Sequence, residues 1–116
     1  MAANYDITIE QGATFQLNLI WKDSAGVPID LTGYTAKMQV RQRYASDDAV
    51  LSLSTTAGTI VLGGVAGTIN ITGPAADTAA ITIKQGVYDV ELTSAGGIVT
   101  RLIEGCVAIS PEVTRT

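Results

Sequence analysis

Histidine is absent from this 116-residue chain, and there is a single cysteine. The first absence removes the commonest general base and metal ligand. It also leaves a serine or cysteine nucleophile without its usual partner. With one thiol there is no internal disulfide, so the core must hold the fold, as in a protein folded in a reducing cytosol. Cys106 opens the apolar run Cys106-Val107-Ala108-Ile109, where a free thiol is expected to be buried and structural. Aromatic residues are scarce: one Trp, one Phe and four Tyr. Charge is sparse too, at 16% of residues, and the net charge is −4. Seven Lys and Arg residues are scattered without a cluster, which argues against nucleic acid as a main partner. The same balance offers no attraction to an anionic membrane. No apolar run approaches the roughly 18–20 residues needed to cross a bilayer. The start, Met1-Ala2-Ala3-Asn4-Tyr5-Asp6, has neither the basic nor the apolar segment of a signal peptide. Synthesis in the cytoplasm is expected, with no cofactor and no metal.

What is present is apolar and alternating. Hydrophobic residues make up 47% of the chain, and mean hydropathy is +0.30. A domain of this length buries roughly 65% of its unfolded surface, so part of this apolar content is expected to meet a partner. Phe15, Leu17, Leu19 and Trp21 share one parity, and Gln16, Asn18, Ile20 and Lys22 the other. Tyr34, Ala36, Met38 and Val40 alternate with Thr35, Lys37, Gln39 and Arg41. Strand side chains alternate with period two, so each run is a half-buried β-strand.

Similar reasoning along the chain predicts short strands at 5–9, 14–22, 34–41, 49–54, 59–62, 68–72 and 86–93. A last strand, 98–110, is expected to be interrupted by a bulge at Gly105. The Gly-rich 63–67 segment reads as a hairpin turn and so does Ser94-Ala95-Gly96-Gly97. Pro74 followed by alanines predicts a short helix near 74–80, crossing between two late strands. The expected fold is all-β: one domain, 1–116, an immunoglobulin-like β-sandwich of seven to nine short antiparallel strands with flexible ends.

Candidate sites reduce mainly to structure. Asp47-Asp48 lies in a polar loop, and Asp23 with Asp30 frames a turn in which Asp satisfies local N–H groups rather than calcium. Gly63–Gly67 lacks the lysine of a phosphate loop. Trp21 is in core phase. Tyr88 resembles a tyrosine corner, a packing device. Lys37 and Arg41 are expected to pair with Asp89 and Glu91 if their strands are neighbours. Ile20, Val87, Val99 and Ile103 are apolar on faces expected to be wet, which makes them the candidate protein interface.

The segment Trp21-Lys22-Asp23-Ser24-Ala25-Gly26-Val27-Pro28-Ile29-Asp30-Leu31-Thr32-Gly33-Tyr34-Thr35-Ala36 resembles a tailed-bacteriophage virion domain. It is similar to the N-terminal domain of the baseplate upper protein family and related short phage tail proteins. Those share a "D-x-x-G-x-P" turn followed by "D-L-T-G-Y-T". Tyr88–Ser94, Val99–Gly105 and Ser110–Arg115 also look phage-like. The likeness covers the first 40 and last 30 residues better than the middle. It implies a virion structural protein of the tail or baseplate, a fibre-attachment or adaptor module docking in symmetric copies, with no catalysis. Longer family members continue into a stalk or fibre, and this sequence stops at Thr116. A fibre would then be a separate chain. The competing readings are a capsid cement or decoration protein and, further off, a carbohydrate-binding module, which needs exposed aromatics.

Overall fold

The computed structural model describes residues 3–114; the ends expected to be flexible, at 1–2 and 115–116, lie outside them. Nine strands and one short helix follow in order: β1 (Ala3–Asn4), β2 (Ile7–Glu10), β3 (Phe15–Ile20), β4 (Thr35–Arg41), β5 (Leu51–Ser54), β6 (Ile60–Leu62), β7 (Thr68–Gly73), α1 (Ala75–Ala79), β8 (Gln85–Thr93) and β9 (Val99–Ser110). They form two sheets. The larger runs β1-β9-β8-β4-β5, with β2 also paired to β9; the smaller runs β3-β7-β6. This is an all-β sandwich, with the helix in the crossover from the small sheet to β8.

Alternation places the core between the sheets. Met38 and Val40 on β4, Leu53 on β5, Ile69 and Ile71 on β7, Val90 and Leu92 on β8 and Ile9 on β2 are fully enclosed. Phe15 is buried too, but Leu17, Leu19 and Trp21 on the same side of the first strand segment are only half-buried. Pro74, with φ −57° and ψ 145°, caps α1 rather than opening it. Thr78 on α1 is fully buried. Its hydroxyl accepts the Gly12 N–H (3.1 Å) and lies 2.8 Å from the Ala13 carbonyl, which stitches the crossover to the β2–β3 turn.

Several expectations are corrected. The strands are not all antiparallel: β1 and β2 both run parallel to β9. The last strand is not interrupted at Gly105. It is continuous, and its irregularity falls at Leu102, because Val90 faces Ile103 while Glu91 faces Arg101. One extra residue on β9 reverses the phase of everything after it. Val99 and Arg101 therefore point outward, whereas Ile103, Val107 and Ile109 point into the core. Ile103 is only 8% exposed, so the wet face expected for it is wrong. The same reversal turns Cys106 outward, so the expected buried thiol is exposed.

Tyr88 does not make a local corner. Its hydroxyl donates to the carbonyl of Tyr5, far away in sequence. Opposite Tyr88 on β9 stands Gly105, and a Cβ there would collide with the Tyr5 backbone. The glycine admits a neighbouring chain segment.

The turn between β3 and β4 is self-contained. The Asp23 carboxylate accepts N–H groups from Ala25 (2.9 Å) and Val27 (3.0 Å). Gly26 takes a positive φ of 82°, a conformation glycine adopts without steric cost. Lys22 and Pro28 form an isolated antiparallel bridge. Asp30 accepts from the Thr32 hydroxyl (2.6 Å) and N–H (3.0 Å), which hold its carboxyl below its ordinary value. The rings of Trp21 and Tyr34 close the unit edge to face, 6.1 Å between centroids.

Candidate docking surface

The outer face of the larger sheet is built by register. Three rows of side chains cross it. Arg101 stands beside Glu91, which stands beside Lys37 and then Ser54; Glu104 stands beside Asp89, Gln39 and Ser52; Cys106 stands beside Val87 and Arg41. β4 and β8 are neighbours, as the charge pattern required, but the expected pairs do not form. Arg101 takes the carboxylates instead: Asp89 at 3.4 Å, Glu104 at 3.1 Å and Glu91 at 3.9 Å. The hydrogen bond to Glu104 and the charge of Asp89 raise the Arg101 pKa further above its ordinary value. Arg41 turns toward the following loop, donating to the carbonyls of Ser46 and Asp47 (both 2.9 Å) and to Gln39 Oε1 (2.9 Å). Among the described residues Lys37 has no carboxylate within ion-pair distance.

Three open depressions run along this face. One of about 270 Å³ has Arg101, Asp89, Glu91, Glu104 and Arg41 in its walls, with Tyr44 at its side. A second, about 300 Å³, is lined by Val87, Cys106, Ala108 and Gln42. A third, about 550 Å³, is lined by Lys37, Ser52, Ser54, Thr93 and Val99. Among the described residues no three His, Cys, Asp or Glu side chains are grouped to hold a metal ion.

The four apolar candidates do not form one patch. Val99 (58% exposed) lies on the outer face at one end of β9. Val87 is on the same face but half-buried. Ile20 (56% exposed) belongs to the outer face of the other sheet. Ile103 is in the core. Apolar surface that alternation alone did not single out includes Tyr44 (81% exposed) and Ile98 at the β8–β9 turn, and Val61 and Val65 on the small-sheet side. Tyr44 sits in a segment that reads as a polar loop. The signal available for it was a lone aromatic among Arg, Ser and Asp, with no apolar phase to join.

No protein-family model matches this chain, and neither does any curated protein.

Proposed function

We propose that this protein is a structural component of a tailed-bacteriophage particle, at the tail or baseplate, where it attaches or adapts a fibre by protein–protein docking. The observation that carries this reading is the wording of Trp21–Ala36. Its turn, with Asp23, Gly26, Pro28, Asp30 and Gly33 in order, resembles the baseplate upper protein family. The outer face of the larger sheet supports a docking role. It pairs a balanced charge row with small side chains and an exposed tyrosine, which suits a polar-rimmed contact with another protein. Assembly then proceeds by burial of the exposed apolar residues, Val99 and Ile98 among them, against neighbouring subunits.

The test is fractionation of purified particles into heads and tails, followed by mass spectrometry and a cryo-EM map of the positive fraction. The expected result is this chain in tails, in symmetric copies. Its recovery in heads would move the assignment to a capsid cement protein, and absence from particles would overturn it. Binding of the isolated domain to a glycan array would instead favour a carbohydrate-binding module, with Tyr44 as the first residue to substitute.

A further inference from the structure

The edge of the small sheet is open along β3. Among the described residues this strand pairs with β7 on one side and with no strand on the other. The Trp21 N–H donates to the Gly67 carbonyl (2.9 Å) in the same antiparallel register. Alternation within that ladder turns the peptide groups of Phe15, Leu17 and Leu19 toward β7, and those of Gln16, Asn18 and Ile20 toward the free edge. Proteins usually protect such an edge with charge, proline, a bulge or shortness. The sequence Phe-Gln-Leu-Asn-Leu-Ile has no charge and no proline, and its pairing register is regular. It is also longer than the other edge strands, β2 and β5 with four residues and β6 with three. The open edge has a visible cost on the inner face. Leu17 and Leu19 stay half-buried although their partners on β7, Ile71 and Ile69, are fully buried.

We infer that β3 is a self-pairing edge, and that a second copy of this chain adds its own β3 antiparallel across a two-fold axis through Asn18. The pairing joins the two small sheets into one six-stranded sheet. Residues directly opposite in a sheet share a face, so the two-fold places Gln16 against Ile20 of the second copy and Asn18 against itself. These are the residues whose peptide groups point outward, and they supply about six hydrogen bonds, two per bonded pair. On the inner side, Leu17 meets Leu19 of the second copy and Phe15 meets its Trp21. Each copy thereby covers the half-buried leucines and tryptophan of the other.

Charge selects a second copy as the occupant. The register carries Lys22 of each chain to Thr14 of the other. Glu10 lines the same depression as Thr14, and the Glu112 carboxylate lies over the adjacent Gly12. Two chains of net charge −4 thus meet along an uncharged strand with opposite charges at both ends. The inference holds whether or not the virion assignment does.

Sedimentation equilibrium and cross-linking test it. The expected wild-type mass at high concentration is twice that of one chain. Asn18→Lys, which sets two ammonium groups against each other on the axis, should halve that mass with an unchanged circular dichroism spectrum and with the Tm that the wild type shows when diluted to monomer. In a Cys106→Ser background, Asn18→Cys should form a disulfide-linked dimer on mild oxidation. Bonded antiparallel neighbours have Cα atoms about 5.5 Å apart, within disulfide reach. Asn70→Cys, on the exposed face of central β7, should not. A wild-type monomer at every concentration, a stoichiometry other than two, a dimer that persists in Asn18→Lys, or equal cross-linking at Asn70→Cys would each overturn the proposal.

Discussion

The Tyr88 hydroxyl donates to the backbone carbonyl of Tyr5, joining residues 83 positions apart. The bond reaches past Gly105, the β9 neighbour of Tyr88, to the link between β1 and β2 on the far side of that strand. Tyr5 adds its own N–H to Glu104 O (2.8 Å), and the Asp6 carboxylate accepts the Cys106 N–H (2.9 Å). The parallel N-terminal strand is thus tied to β9 and β8 at one point. Removing the hydroxyl in Tyr88→Phe should cost about 1 kcal/mol, the net value of one hydrogen bond. Gly105→Ala should cost more, about 1–3 kcal/mol, because the new Cβ meets backbone that cannot give way easily. Thermal or urea denaturation of both variants checks the order; equal costs would refute it.

The same hydroxyl makes stability depend on alkaline pH. Burial, then Tyr5 and Asp6 nearby, pushes the Tyr88 pKa from 10.0 up to about 12. The folded state therefore holds the proton more tightly than the unfolded chain. The contribution is complete below about pH 10 and is lost as pH rises from about 10 through about 12. Urea midpoints over this window should fall more steeply for the wild type than for Tyr88→Phe. Parallel declines would show that another group is responsible.

Val99 and Ile103 have the same parity in sequence and opposite fates in the sandwich. Val99→Asp, on the exposed face, should leave stability within about 0.5 kcal/mol of wild type. Ile103→Asp buries an unpaired carboxylate where Ile103 packs in the core, and should destabilise by more than about 3 kcal/mol or prevent folding. Soluble expression with denaturant titration separates the two. A stable Ile103→Asp would mean that Leu102 is not the extra residue.

Arg101 holds three carboxylates, yet its side chain is 52% exposed. Exposed pairs are worth roughly 0.2–1 kcal/mol and are screened by salt. Arg101→Ala should therefore cost little stability at physiological salt, with a larger loss at low ionic strength, where Asp89, Glu91 and Glu104 repel one another unscreened. A cost that does not change with added salt would assign the effect to packing of the side-chain stem.

Much of this was readable before folding. The two alternating runs became β3 and β4 because period-two burial needs only local geometry. Tyr88, Val90 and Leu92 point inward on β8 for the same reason. The Asp23–Gly33 turn was readable because its hydrogen bonds stay within a few residues. Alternation alone misplaces Ile103 and Cys106, because a bulge at Leu102 leaves no trace in composition: leucine is an ordinary strand residue, and the visible glycine at 105 serves a different end. The role of Arg101 is not legible in the sequence, because its carboxylates come from two strands and their register.

The amino-acid sequence alone determined the class of this protein, the position of nearly every strand, the helix near Pro74 and the absence of histidine chemistry. These follow from local rules: the two-residue period of a strand, the fixed φ of proline, the reach of an aspartate to its neighbours' N–H groups. The tertiary structure decided what lies on which face after the bulge and which cation meets which anion. It also decided that an N-terminal strand runs parallel to the last one, and that β3 is left as an open edge. Each of these depends on register between segments distant in the chain, and register is set by the packing of both sheets at once.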